Sequence, residues 1–115
     1  MSEERGEAPA IEEELLKKMD ELLNTMKDWE RKPLIQVGKA VVEIVKLPKR
    51  ETARRVEPER LALHVRLEDS FKGIFIIEAN ELKDLLEALR GRNVMKVIEA
   101  IDLVNRKRRV IEYKL

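Results

Sequence analysis

The period of the apolar residues changes twice along this 115-residue chain, and that change constrains the fold more than any motif does. Between Ala10 and Glu30, Leu15, Met19, Leu22, Met26 and Trp29 recur at alternating steps of four and three, and Ile11, Leu16 and Leu23 widen the stripe. Such steps line one face of a helix. From Leu34 to Leu47 the chain is dense in β-branched residues (Ile35, Val37, Val41, Val42, Ile44, Val45), which favour a pleated strand. The spacing predicts one long strand there, with a bulge or bend near Gly38-Lys39, where the apolar parity shifts. Leu61 to Glu68 alternates. Leu61, Leu63, Val65 and Leu67 face a core, and Ala62, His64, Arg66 and Glu68 form an exposed polar face. Ile74 to Ala79 is apolar on both sides and reads as an interior strand.

Helical spacing then returns. Asn80 is expected to cap a helix carrying Leu82, Leu85, Leu86 and Leu89, which Gly91 ends. Asn93 is expected to cap another with Val94, Val97, Ile98, Ile101 and Val104 on one side. Arg109 to Leu115 alternates again and reads as a strand, with continuous helix from Asn93 as the rival. Pro48 to Glu59 is the least apolar stretch of the body and reads as a mobile loop. Residues 1–9 are polar and read as a frayed tail, leaving residues 10–115 as one domain. The expected class is α+β: an N-terminal helix, a three- to four-stranded antiparallel sheet, and two C-terminal helices packed on one face.

Composition removes several classes of function. The chain has no cysteine, which excludes disulfides, thiolate metal sites and thiol nucleophiles. His64 is the only histidine and reads as a surface residue; Ser2 and Ser70 are the only serines, and no nucleophile elbow surrounds Ser70. No phosphate loop, dinucleotide fingerprint, zinc-protease helix or calcium loop is present. The expectation is a protein that is not an enzyme and uses no cofactor and no metal. No apolar run reaches the ~18 residues of a membrane span, and Met1-Ser2-Glu3-Glu4-Arg5 lacks the apolar segment of a secretory signal. A cytoplasmic protein that does not engage membranes is expected. Charged residues make up 41% of the chain, against about 25% in an average protein, and there are only five amides. This is the pattern of a thermophile protein.

Charge is unevenly spread and points to a polyanion. Residues 1–30 hold ten acids and four bases, a balance of −6, so the other 85 residues carry +7. Lys46, Lys49, Arg50, Arg54, Arg55 and Arg60 surround the 48–59 stretch, and Arg106, Lys107, Arg108 and Arg109 form the densest cationic run. Adjacent cations repel unless an anion relieves them, and phosphates would do so with counterion release. Ordinary thermophile surface charge is the plain alternative. Aromatics are few: Trp29, Phe71, Phe75 and Tyr113. Phe71, at the start of its strand, is the best placed to be exposed and to stack on a base, whereas Phe75 reads as core. The stripe at Leu15, Met19, Leu22 and Met26, together with Val97 and Ile101, is the expected interface of a homodimer. The same N-terminal stripe could instead dock a different protein.

Two stretches carry a family resemblance. Gly38-Lys39-Ala40-Val41-Val42-Glu43-Ile44 resembles a strand of the coactivator and Whirly families of single-stranded-DNA-binding proteins. Lys72-Gly73-Ile74-Phe75-Ile76, followed by Glu81-Leu82-Lys83-Asp84-Leu85-Leu86, resembles their last strand running into a helix. Length, charge pattern and composition are similar to those of archaeal single-stranded nucleic-acid-binding proteins of the ThermoDBP and ThermoDBP-related kind. The resemblance implies a sequence-tolerant binder of single-stranded DNA or RNA, with Lys39 and Lys72 near the strand and Arg54 and Arg55 on a flexible rim. Arg66 and Phe71 complete the expected binding set. The chain departs from the first two families by its N-terminal helix and by about 25 residues after the first C-terminal helix.

Overall fold

A computed structural model describes residues 10–109, and the chain divides into two units, Met1–Ile77 and Glu78–Leu115. The protein is α+β, with an N-terminal helix, a four-stranded antiparallel sheet plus a small hairpin, and two C-terminal helices. In the first unit, helix α1 (Ala10–Thr25) precedes β1 (Arg31–Val37), β2 (Ala40–Leu47), β3 (Arg50–Glu51), β4 (Val56–Glu57), β5 (Arg60–Leu67) and β6 (Ile74–Ile76). The main sheet has the order β1-β2-β5-β6, and β3 pairs with β4 separately.

The single long strand expected over 34–47 is a hairpin instead. Gly38 has φ +59°, and only two residues separate β1 from β2. A glycine with positive φ at the first central position reverses the chain at once, so the parity shift marks a turn. β1 begins earlier than expected, at Arg31, and contains Pro33. It tolerates this because it is an edge strand, exposed along its whole length, with a register shift between Pro33 and Ile35. The expected loop over 48–59 contains the β3–β4 hairpin, closed by Thr52, whose N–H donates to the Arg55 carbonyl (2.8 Å) and whose hydroxyl accepts from the Arg54 and Arg55 amides. The expected interior strand over 74–79 is three residues long and lies at the other edge.

β2 is central and carries most of the buried side chains. Val45 and Leu47 join Ala62 of β5 in the buried cluster; Val41, Ile44, Ile76 and Met26 are also buried. Pairing of β2 with the chain before β1 continues past Arg31: the Trp29 N–H donates to the Lys46 carbonyl (2.7 Å), and the Lys46 N–H donates to the Glu30 carbonyl (3.2 Å). Trp29 takes the left-handed backbone conformation there, φ 68°, a region that costs a bulky residue energy. Lys46 is 5% exposed, and its ammonium donates to the Leu23 (2.7 Å) and Met26 (3.2 Å) carbonyls at the end of α1. A cation on the last carbonyls of a helix satisfies acceptors the helix cannot and suits its dipole.

The second unit holds α2 (Ala79–Leu89) and α3 (Arg92–Arg109). α2 starts before Asn80, because Glu81 reaches back to the Glu78 N–H (3.0 Å) and makes Glu78 the cap. α3 continues through the cationic run to Arg109, so the helical reading holds that far. Residues 110–115, and the tail at 1–9, lie outside the described residues. No helix among the described residues is long and apolar enough to cross a membrane.

Candidate nucleic-acid interface

Strand register determines which side chains share a face. On β2, Glu43 lies in the row Val41, Glu43, Val45, Leu47; across from it on β5 runs the row Arg66, His64, Ala62, Arg60. His64 in turn faces Phe75 of β6, and Pro33 of β1 faces Glu43. A carboxylate in an otherwise apolar row needs partners to compensate its desolvation. Glu43, 4% exposed, has three. Its Oε2 accepts from Arg66 Nε (2.8 Å) and Arg31 Nη1 (3.2 Å) and lies 2.9 Å from His64 Nδ1. The Arg66 hydrogen bond, helped by His64 and Arg31, holds the Glu43 carboxyl below the usual carboxylate range against the opposing effect of burial. The same bond raises the Arg66 guanidinium.

His64 is therefore no surface residue. It is 1% exposed and belongs to the polar hub under the face. Its ring stacks on Phe75 (centroids 4.6 Å, planes 22° apart), and the Trp29 ring is tilted against Phe75 at 6.3 Å and 59°. The Arg31 and Arg66 guanidinium carbons lie 5.8 Å and 6.0 Å from the Phe71 ring centre, within cation–π range. Three of the chain's four aromatics thus gather on one side of the sheet, and all keep open surface: Trp29 is 56% exposed, Phe75 44% and Phe71 78%.

The cations are less united than the sequence suggests. Lys46 is buried, ties down α1 and pairs with Glu59 (3.0 Å). Arg66 is occupied by Glu43 and by the Leu67, Glu68 and Ser70 carbonyls. Arg60 donates to the Pro48 and Pro58 carbonyls and pairs with Glu57 (3.3 Å), which Arg55 also meets (3.3 Å). Lys49 pairs with Glu51 (3.6 Å). Of the cations expected at the site, Lys39, Arg50, Arg54 and Lys72 in the first unit, and Lys107 and Arg108 in the second, are exposed and make no ion pair among the described residues. Lys39 and Lys72 lie at the Phe71 end of the sheet, and Arg50 and Arg54 lie in the hairpin at the other end. Strands of eight residues separate these ends by roughly 25 Å. Arg106, Lys107 and Arg108 belong to α3 of the second unit; Arg106 pairs with Asp102 (2.9 Å).

Sequence reasoning missed Trp29, Arg31, Glu43, His64 and Phe75. Trp29 fits the helical spacing of α1 but lies four residues beyond its end. Glu43 was legible in principle, since an acid in the middle of a β-branched run calls for a cation on the neighbouring strand. Of the side chains expected at an oligomer interface, Met26 is buried within its own unit and Met19 and Leu22 are half-buried, while Leu15, Val97 and Ile101 are exposed. Among the described residues, no three acidic or histidine side chains come together as a metal site. No family model, no curated protein and no solved structure matches the chain.

Proposed function

We propose that this chain binds single-stranded DNA or RNA, without catalysis and with little sequence preference, across the sheet face that carries Trp29, Phe75 and Phe71. The observation that carries this reading is the contact between the exposed rings of Trp29 and Phe75, with exposed Phe71 against Arg31 and Arg66 on the same face, in a protein whose aromatic content is only 3%. Exposed aromatic side chains beside cations are what a single strand needs. Bases stack on the rings, each worth roughly 1–3 kcal/mol, whatever their sequence. Lys39 and Lys72 at one end, and Arg50 and Arg54 at the other, would meet phosphates. Arg31 and Arg66 are held by Glu43 and lie over the Phe71 ring. The strained Trp29 backbone supports the same reading, because strain of this kind gathers at functional sites.

In this proposal the protein is cytoplasmic, comes from a thermophile, acts as a homodimer and uses no cofactor. Its kinship with the ThermoDBP-like single-strand binders is part of the same proposal. One observation favours a second reading: Leu15 and Leu16 of α1 are exposed, which suits a helix that docks a different protein. Fluorescence anisotropy with labelled single-stranded DNA, single-stranded RNA and duplex at two salt concentrations tests the first reading. Single strands should bind more tightly than duplex, with affinity falling as salt rises. Equal or absent binding of all three would remove it and leave the second.

A further inference from the structure

Three donors converge on one oxygen of Glu43. Arg66 Nε (2.8 Å), His64 Nδ1 (2.9 Å) and Arg31 Nη1 (3.2 Å) all meet Oε2, whereas Oε1 has only a long contact with Arg66 Nη2 (3.5 Å). A carboxylate oxygen offers two lone pairs, so one donor of the three is in excess. Two of them are fixed in place. His64 is buried with its ring stacked on Phe75, and Arg66 is anchored to the Leu67, Glu68 and Ser70 carbonyls as well. Arg31 makes the longest of the three bonds, and its guanidinium makes no other hydrogen bond among the described residues. Its side chain is 35% open to solvent and belongs to an edge strand. An ion pair this open contributes little, and Glu43 keeps Arg66 and His64 when it breaks. We propose that Phe71 and Arg31 form a nucleotide subsite, in which Phe71 takes a base and Arg31 leaves Glu43 to take a phosphate of the same strand.

The ligand that fits here joins a planar ring to a phosphate. The Arg31 guanidinium carbon lies 5.8 Å from the centre of the Phe71 ring, and that ring is the most exposed of the aromatics on the face. A base stacked on its open surface leaves a phosphate one sugar away, within reach of a side chain as long as arginine. The guanidinium has five N–H donors and spends one on Glu43. Its fork matches two phosphate oxygens at once. Charge selects an anion as well. Arg31 and Arg66 bring two positive charges to the one negative charge of Glu43, an excess that a phosphate relieves. Arg31 also supplies a cation in the middle of a face whose unpaired cations, Lys39 and Lys72 or Arg50 and Arg54, lie at its two ends.

The subsite rests on the single-strand reading above, and salt dependence separates its failure from the failure of that reading. Anisotropy of a labelled single-stranded oligothymidylate is followed over a salt series for the unsubstituted protein, R31Q and R31K. Glutamine can still donate to Glu43 but carries no charge; lysine keeps the charge and loses the fork. R31Q should bind on the order of tenfold more weakly, as for one lost hydrogen bond between charged groups. Its slope of log affinity against log salt should fall by about 0.7, the share of one phosphate contact to a single strand. R31K should keep the slope of the unsubstituted protein. Weaker binding by R31Q at an unchanged slope would mean that Arg31 acts only by holding the hub together, and an unchanged affinity that it never meets the strand; either result overturns the subsite. No binding by the unsubstituted protein overturns the single-strand reading itself and the subsite with it.

Discussion

Glu43 and His64 face each other across β2 and β5, 2.9 Å from Oε2 to Nδ1, and both are almost closed to solvent. Arg31 and Arg66 complete the group from β1 and the outer end of β5. Removing the one anion strands two guanidinium groups and an imidazole. Loss of one member of a buried ion pair costs roughly 3–5 kcal/mol, so E43A should lose about that much in urea unfolding. E43Q, which keeps one acceptor oxygen in place, should lose less.

The same carboxyl makes stability depend on pH. Its folded pKa is lowered, so the unfolded chain binds this proton more readily than the folded one. The contribution of Glu43 is therefore complete above the ordinary carboxylate pKa and is lost as the pH falls through the lower folded value. Thermal unfolding followed from neutral to acid pH should show a steeper fall for the natural protein than for E43Q. Parallel curves would mean that Glu43 is not the group responsible.

Binding should depend on rings more than on any one cation. W29A and F71A remove exposed side chains, so each should leave the melting temperature nearly unchanged. Each should weaken single-strand binding by the roughly 1–3 kcal/mol of a stacked base, on the order of 5- to 150-fold. R50A/R54A should instead flatten the salt dependence, with the slope of log affinity falling by about 1.4 for two phosphate contacts to a single strand.

Lys46 should act chiefly on α1, because its other partner, Glu59, is exposed and an ion pair of that kind contributes little. Lys46→Met removes the ammonium that holds the Leu23 and Met26 carbonyls and retains most of the apolar stem. Hydrogen exchange should rise across the last turns of α1 while the β2–β5 amides keep their protection.

Gly73 is required for a different reason from Gly38. A Cβ at Gly73 would press on the Val65 carbonyl oxygen and lie 2.8 Å from Arg66 Cβ, so G73A should break the β5–β6 pairing that holds Phe75. At Gly38 there is open space, and the objection to alanine is only the φ of +59°, worth about 1–2 kcal/mol. Denaturant unfolding should rank G73A as the more damaging.

Much of the fold was readable because burial writes a period into the chain. The alternation at 61–68 is β5, the β-branched run contains β2, and the leucines after Asn80 are α2. What was misread has local physical causes. At 34–47 a single glycine turns a strand into a hairpin, and period alone does not distinguish a turn from a bulge. At 62–66 alternation alone marks the polar row as solvated, whereas Glu43 on the next strand gives His64 and Arg66 a buried partner. The site was less legible than the fold. Lys46, Arg60 and Arg66 look like free cations in the sequence and are occupied by carbonyls and carboxylates in the structure, while the aromatics that converge are distant in the chain.

Trp29 is the only tryptophan, so its fluorescence reports directly on the face proposed to hold bases. Titration with an unlabelled single-stranded oligonucleotide should quench or shift that emission saturably, at the same midpoint as anisotropy of the labelled strand. Strand binding that leaves the Trp29 emission untouched, or no binding at all, would contradict an aromatic platform on this sheet.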